Sequence, residues 1–200
     1  QWVSGEYISK KKGNSINYQQ MTVLKRKSDM SYVYCIQPGT HIITGNVYTG
    51  YDSDYVAVSK MSEADWNRIS LLAYYGYGYK DSNYNHTNIK WYVITQYMIW
   101  RTVPQGYDIY FTDTLNGNRI TKYTKEMEEI ESLIANHYKK PNFSNEKIDM
   151  VISDNVTLKD TNNVLNYFSV SDTSGGISVT KSGNELNIND NETYIPIRVN

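Results

Sequence analysis

The chain has 200 residues, of which 40% are hydrophobic, and this is enough to bury the core of one domain. Lysine and arginine number 20 against 21 aspartate and glutamate residues, so no overall field favours nucleic acid or an anionic membrane. No apolar run reaches the length of a membrane span, and a single cysteine excludes an internal disulfide and cysteine-rich zinc sites.

We therefore expect no membrane insertion, no nucleic-acid partner, no metal site and no cofactor. The aspartate-rich stretches 52–54 and 113–118 fit no calcium-loop template and are predicted to be turns. The chain begins at Gln1 with no signal peptide, and we interpret it as an excised or processed segment.

The first third of the chain has the composition of β-strands. Strands are predicted over residues 6–9, 16–25 and 31–37, which are rich in Tyr, Val and Ile and are separated by turn residues. The third of these strands contains the sole cysteine, Cys35, and the turn signal Pro38-Gly39 ends it. A further strand is predicted over residues 54–58.

Three helices are predicted in the middle of the chain. Ser62 is a candidate N-cap for a first helix that runs to about Tyr75, where Gly76-Tyr77-Gly78 stops it. Thr87 or Asn88 is expected to cap a second helix that ends near Arg101. The third helix has the clearest apolar repeat and ends before Pro141; the repeat consists of Tyr123, Met127, Ile130, Ile134 and His137.

The second helix places an amide where hydrocarbon is expected. Ile89, Val93, Gln96 and Trp100 share one face at helical spacing, and three of the four are large and apolar. A buried amide without partners costs a few kcal/mol, so Gln96 requires a hydrogen-bonding network or a chemical partner.

The remainder of the chain returns to short alternating segments, with strands predicted over 150–152, 164–170, 177–180, 185–188 and 194–199. The order of elements predicts an α+β fold, with mostly antiparallel strands at both ends and a central group of about three helices. The simplest organisation is a single domain over residues 1–200. The alternative has a boundary near Pro141 and a β-rich part over 147–200.

Cys35 and Gln96 each have an ordinary structural interpretation. A single cysteine in a strand is most often a small, buried, inert side chain. A buried glutamine can be satisfied by backbone groups or tyrosine hydroxyls. The two residues point to chemistry only when they are considered together with their neighbours.

Those neighbours resemble the thioester domains of Gram-positive bacterial surface adhesins. The similar segments are Tyr34-Cys35-Ile36, Gly76-Tyr77-Gly78 and the run from Thr95 and Gln96 to Trp100. The order of strands, helices and strands also fits over the whole chain. One position departs from the family pattern, because Met98 stands where a small residue, typically Ala, is usual.

The resemblance implies an internal thioester between Cys35 and Gln96, formed with loss of ammonia. It implies a reactive binder that reacts once and is not a turnover enzyme, and its partner would be a host surface or matrix protein that offers a lysine amine. An isopeptide bond would then make adhesion covalent. The resemblance further implies an extracellular location, within a longer protein anchored to the bacterial cell wall. Tyr34, Tyr97 and Trp100 are candidate residues that shield the thioester from water.

Two other function classes remain open. A Cys–His hydrolase or transglutaminase-like enzyme would use Cys35 as the nucleophile and His41 or His86 as the base. As a loop residue, His86 is expected to contact solvent, and His137 is expected to pack on or beside the apolar face of its helix. A non-covalent module would use the exposed members of the 20 tyrosines to bind glycan or protein.

Overall fold

The structure is a computed structural model that describes residues 1–40, 61–151, 153–171 and 176–190. The predicted strands over 54–58 and 194–199, and His41, lie outside these residues. The chain divides into two compact units, Gln1–Ile134 and Ala135–Asn200. The α+β prediction is confirmed, since three helices accompany antiparallel sheets in both the first and the last parts of the chain. The organisation as one domain over 1–200 stays a prediction.

The first unit is built on a four-stranded antiparallel sheet. Strand β1 (Trp2–Lys12) turns at Gly13 into β2 (Ser15–Thr22), and Gly13 has the positive φ of 58° that this turn requires. Two strands missed by the sequence analysis, β5 (Asp108–Thr112) and β6 (Arg119–Ile120), complete the order β2-β1-β5-β6. Strand β1 is therefore an inner strand, with neighbours on both sides.

The cysteine segment differs from its prediction. Strand β3 (Leu24–Lys25) pairs with β4 (Tyr32–Val33), and the regular pairing stops there. The predicted strand over 31–37 is therefore too long, and Cys35 lies in an irregular, half-buried segment after β4. The reason is that the backbone groups of Cys35 bond to a side chain, that of Gln96, in place of a neighbouring strand.

The helices of the first unit confirm most of the predicted limits. Helix α1 (Glu63–Tyr75) starts with a capping box between Ser62 and Asp65. Helix α3 (Thr124–Asn136) buries Ile130 and Leu133 on one face. None of the described helices is long and apolar enough to cross a membrane.

Helix α2 (Lys90–Thr102) is the centre of the core of this unit. Ten consecutive residues, from Trp91 to Trp100, are buried, so the helix is enclosed on all sides and has no exposed polar face. The predicted face is correct for Val93, Gln96 and Trp100 but wrong for Ile89, which is the exposed N-cap residue. The predicted cap is also displaced by one position, although Asn88 Oδ1 still accepts the Lys90 N–H at 2.9 Å.

The second unit contains a three-stranded antiparallel sheet with the order β7-β9-β8. Its strands are β7 (Asn155–Lys159), β8 (Ile177–Ser182) and β9 (Glu185–Asp190). The predicted strand over 164–170 is wrong, because a 3₁₀ turn occupies Leu165–Tyr167. The Asp160 carboxylate accepts the N–H groups of Val164 and Leu165, so these donors cannot pair with a strand. Met150 and Val151 also lie outside any strand.

Candidate functional site

Helix α2 brings Gln96 against the backbone of Cys35, 61 residues earlier in the chain. The Cys35 N–H donates to Gln96 Oε1 at 2.7 Å, and Gln96 Nε2 donates to the Cys35 carbonyl oxygen at 2.8 Å. The Gln96 side chain is only 1% exposed, so these two bonds fix its position in the protein interior. The predicted pair is therefore brought together, with the amide carbon of Gln96 held beside the residue that carries the thiol.

The bond from Cys35 N–H has a chemical consequence as well as a structural one. A hydrogen bond to the carbonyl oxygen draws electron density away from the amide carbon. If a nucleophile adds to that carbon, the same N–H faces the oxygen on which negative charge develops, as a donor in an oxyanion hole does. The Cys35 Sγ lies 3.4 Å from the Gln37 carbonyl oxygen, to which the thiol donates its weak hydrogen bond.

Tyr92, which the sequence analysis missed, holds the same segment one helical turn earlier. Its hydroxyl donates to the Val33 carbonyl oxygen at 2.7 Å and accepts the Leu24 N–H at 3.1 Å. The ring of Tyr34 stacks on the Tyr92 ring with 5.0 Å between centroids. Burial raises the pKa of Tyr92 to about 12, so the hydroxyl remains neutral and can donate. Helix α2 therefore forms hydrogen bonds with the cysteine segment at Val33, through Tyr92, and at Cys35, through Gln96.

Thr95 explains the Gly-Tyr-Gly segment that follows α1. Its Oγ1 donates to the Trp91 carbonyl oxygen at 2.6 Å and accepts the Tyr77 N–H at 3.1 Å. A Cβ added to Gly76 would lie 2.1 Å from Thr95 Oγ1, so only glycine allows this approach. Thr95 thus fixes α2 against the end of α1 at the residue that precedes Gln96.

A cavity of about 670 Å³ opens beside the pair. Cys35, Gln96 and Trp100 line it together with side chains from β1 and β2. Trp2 and Tyr18, which are 65% and 39% exposed, belong to its lining, so the cavity communicates with solvent. Within the described residues, the buried indole Nε1 of Trp100 has no hydrogen-bond partner.

The three candidate shielding residues occupy different environments. Trp100 lines the cavity together with Cys35 and Gln96 and is 4% exposed. Tyr34 packs on Tyr92, and burial raises the pKa of its hydroxyl well above the ordinary value. Tyr97 stacks on Phe111 with 4.3 Å between centroids. Trp100 therefore has the most direct geometric support, and shielding by any of the three stays a prediction.

Met98, the departure from the family pattern, is on the opposite side of α2 from Gln96. Its side chain is buried and lines a second cavity with Arg68 and Glu131. Residues two positions apart on a helix are separated by about 200° of rotation, which accounts for this placement. The larger residue therefore does not alter the packing beside the thiol and the amide.

The solvent contact predicted for His86 is wrong, since the side chain is completely buried. Its Nδ1 donates to the Tyr75 carbonyl oxygen at 2.6 Å, its Nε2 lies 2.7 Å from Glu129 Oε1, and its ring stacks on Trp91. Both nitrogens are therefore engaged, and neither is available as a base for Cys35. His137 is exposed at the end of α3.

Comparisons with known proteins identify the family and the fold of this chain. The family model described as "TED: Thioester domain" matches residues 32–140, which include Cys35, Gln96 and all three helices. The thioester domain of the Staphylococcus aureus TIE protein has a similar structure, with a TM-score of 0.59 and 19% sequence identity. That match covers 96% of this chain and 76% of the other chain, and it shows the fold.

No curated protein sequence gives a significant match. The family model nevertheless matches more than half of the chain and spans both residues of the candidate pair. The chain therefore belongs to the thioester domain family, whose members come from surface-associated proteins and bind a nucleophilic partner covalently.

Proposed function

We propose that Cys35 and Gln96 form an internal thioester, which makes this chain a covalent adhesin domain. The single observation that carries the proposal is the pair of hydrogen bonds, of 2.7 and 2.8 Å, between the Gln96 amide and the backbone of Cys35. An amide is a poor electrophile, but held groups can react at effective concentrations of roughly 10⁵–10⁸ M.

The proposed bond-forming step is balanced without a co-reactant. The Cys35 sulfur attacks the side-chain carbonyl carbon of Gln96, and the negative charge that develops on Oε1 faces the Cys35 N–H. The bond between that carbon and Nε2 then breaks, and the nitrogen leaves as ammonia with the proton of the thiol. The product links the segment after β4 to helix α2 through a thioester.

The thioester would then be a stored electrophile for an amine from outside. Attack by a lysine ε-amine on the Gln96 acyl carbon expels the Cys35 sulfur and leaves an isopeptide bond. The cavity supports this route, because Cys35 and Gln96 both line it and it communicates with solvent through the exposed residues Trp2 and Tyr18. The reaction occurs once per molecule, so the domain would be a reactive binder and not a turnover enzyme. The proposed partner is a host surface or matrix protein, bound by a protein anchored to the bacterial cell wall.

Intact-mass measurement of the freshly purified protein tests the proposal. We expect the wild type to be lighter than its calculated mass by one ammonia and to have no free thiol. Both Cys35→Ala and Gln96→Ala should show their full calculated masses. Treatment with methylamine should add the mass of one methylamine to the wild type and release one thiol.

A wild type with full mass and a titratable thiol would contradict the proposal, because Cys35 would then be an ordinary buried cysteine or an enzymatic nucleophile. Repeated turnover of an amide or ester substrate by Cys35 would favour the Cys–His enzyme. A thioester gives a different result from an inert cysteine and from an enzyme. Methylamine should raise the mass and release a thiol in the same reaction, and each molecule should react only once.

A further inference from the structure

A lysine is buried beside the reactive pair. Lys10 lies on the inner strand β1, with neighbours on β2 and β5, and is 2% exposed. Its Nζ donates to Gln19 Oε1 at 2.7 Å and lies 4.8 Å from the centroid of the Trp100 ring. Gln19 and Trp100 both line the cavity that contains Cys35 and Gln96. The amine of Lys10 therefore contacts two residues of the cavity wall.

The surroundings of Lys10 do not favour a permanent charge. The partners of Nζ are an amide oxygen and an aromatic face, and neither carries the negative charge that usually accompanies a buried ammonium. Burial lowers the pKa of Lys10, while its electrostatic interaction with Cys35 acts in the opposite direction. A buried lysine whose pKa is lowered in this way is suited to accept a proton from a neighbouring group.

We propose that Lys10 carries the proton between the reacting groups of the Cys35–Gln96 thioester. This inference rests on the proposed function. The neutral Lys10 amine takes the proton of the Cys35 thiol, and the thiolate attacks the Gln96 carbonyl carbon. The resulting ammonium returns that proton to the Gln96 nitrogen, which leaves as ammonia, and Lys10 is neutral again.

The same cycle serves the later reaction with an external amine. Lys10 takes a proton from the attacking nitrogen and delivers it to the departing Cys35 sulfur. Lys10 interacts electrostatically with Cys35, whereas its other two neighbours, Gln19 and Trp100, carry no charge. His86 cannot take this role, because both of its ring nitrogens are bonded elsewhere.

Two substitutions separate proton transfer from charge and size. Lys10→Met keeps an unbranched side chain without an amine, and Lys10→Arg keeps a positive charge that does not dissociate. The matched control is Lys11→Met, since Lys11 is the next residue on β1 and is exposed. For each protein, the fraction with the ammonia deficit is measured by intact mass after purification, and folding is checked by circular dichroism.

The rate of thioester opening is measured with methoxyamine, which remains unprotonated above about pH 6, so the pH can be varied up to the ordinary lysine value of about 10.4. General acid–base catalysis contributes roughly 10²–10⁴-fold, so Lys10→Met and Lys10→Arg should form or open the thioester at least about 100-fold more slowly. Lys11→Met should match the wild type. The wild-type rate should rise with pH as Lys10 loses its proton, and both Lys10 variants should lack that rise.

Several results would overturn the inference. One such result is that the Lys10→Met and Lys10→Arg proteins fold, carry the wild-type ammonia deficit and react with methoxyamine at the wild-type rate. If only Lys10→Arg keeps the wild-type ammonia deficit and opening rate, a fixed positive charge at this position is sufficient for the reaction and no proton transfer is needed. A wild type with the ammonia deficit, a free thiol and a peptide linking Lys10 to Gln96 would show that Lys10 is itself the nucleophile. If Lys10→Met does not fold, a wild-type rate that is independent of pH is sufficient to reject the inference.

The wild type and the Lys10 variants together distinguish a missing thioester from a lysine that takes no part in its chemistry. If the wild type has no ammonia deficit and does not react with methoxyamine, the thioester itself is absent. If the wild type has both properties and the Lys10 variants retain them, the thioester stands and Lys10 is only a buried structural residue.

Discussion

Gln96 in the first compact unit and Asp160 in the second are both polar side chains with about 1% exposure. Each is bonded to the backbone, and each matches the polarity of its partners. Asp160 accepts N–H groups only, those of Asn142, Asn162, Val164 and Leu165. Gln96 instead meets one donor and one acceptor, the N–H and the carbonyl of Cys35. A carboxylate suits the first environment and an amide suits the second.

The comparison shows that burial and hydrogen bonds to the backbone do not distinguish the proposed thioester site from an ordinary structural one. Asp160 organises a local turn, because most of its partners lie within five residues. The backbone that holds Gln96 belongs to a residue 61 positions away that also carries a thiol. What distinguishes the two regions is therefore the thiol-bearing residue bonded to Gln96 and the cavity that both residues line.

Gln96→Glu should give the largest effect, because it breaks both the chemistry and the polarity match. The carboxylate cannot donate to the Cys35 carbonyl and would be a charge in the interior, so we expect a loss of roughly 3 kcal/mol or more in unfolding free energy. No ammonia deficit should remain in the intact mass. Denaturant unfolding followed by tryptophan fluorescence reports on this unit, because all four tryptophans lie in it.

The pH dependence of this variant identifies the cause of its instability. Burial should raise the pKa of the introduced carboxyl above its unfolded value, so stability should improve as the pH falls and the protonated group can donate to the Cys35 carbonyl. Gln96→Ala is the control, since it also lacks the thioester but introduces no charge. Equal stability of the two variants at pH 5 and pH 8 would contradict this explanation.

Asp160→Asn makes the opposite exchange and should have a smaller effect, confined to the second unit. The amide nitrogen would face N–H donors, so we expect a loss of roughly 2 kcal/mol in local stability. Faster hydrogen exchange at the amides of Val164 and Leu165 would measure it, while the ammonia deficit should remain. Unchanged exchange at these two amides would show that the carboxylate is not what holds the turn.

The wild-type turn should also be sensitive to acid. Burial alone would raise the pKa of Asp160, but hydrogen bonds from the backbone of Val164, Asn162 and Leu165 hold the pKa below its usual value. A carboxyl of this kind contributes stability above its unfolded pKa of about 3.9, and the contribution is lost as the pH falls. Protection of the Val164 and Leu165 amides should therefore decrease below about pH 4, and the Asn variant should not show this decrease.

The parts of the fold that could be predicted are those that local pattern determines. The capping box at Ser62 and the apolar repeat of α3 set their own limits, because a helix needs a cap and an amphipathic face wherever it lies. The segment at 164–170 is rich in apolar residues but begins with a turn, because the N–H groups of Val164 and Leu165 donate to the carboxylate of Asp160. No periodicity within that segment contains this information.

In the candidate site, too, local sequence motifs predict some features, and contacts between residues distant in sequence determine the others. The motifs predict that Cys35 and Gln96 form a pair, but the segment around Cys35 is not a strand, since its partner is a side chain distant in sequence. Lys10 belongs to the run Lys10-Lys11-Lys12, which resembles a solvated charged stretch. Its burial depends on β1 being an inner strand, and that follows only from the pairing with the unpredicted β5.

Tyr92→Phe should give the smallest effect. It tests whether the hydrogen bonds of the Tyr92 hydroxyl to the cysteine segment are needed for thioester formation. The substitution keeps the ring that stacks on Tyr34 and removes the hydroxyl that bridges Val33 and Leu24. We expect a loss of roughly 1–2 kcal/mol in unfolding free energy, measured by denaturant unfolding. We also expect a lower fraction of molecules with the ammonia deficit, because the thiol would be held less firmly opposite Gln96.

Tyr110→Phe is the matched control, because the guanidinium of Arg119 lies over the ring of Tyr110 and a phenylalanine retains that contact. It should leave the ammonia deficit unchanged. A Tyr92→Phe protein that is less stable but carries the full deficit would separate the two roles of the segment. The two bonds between Gln96 and Cys35 would then suffice to position the reacting groups, and the hydroxyl of Tyr92 would contribute only to the stability of the β3–β4 pair.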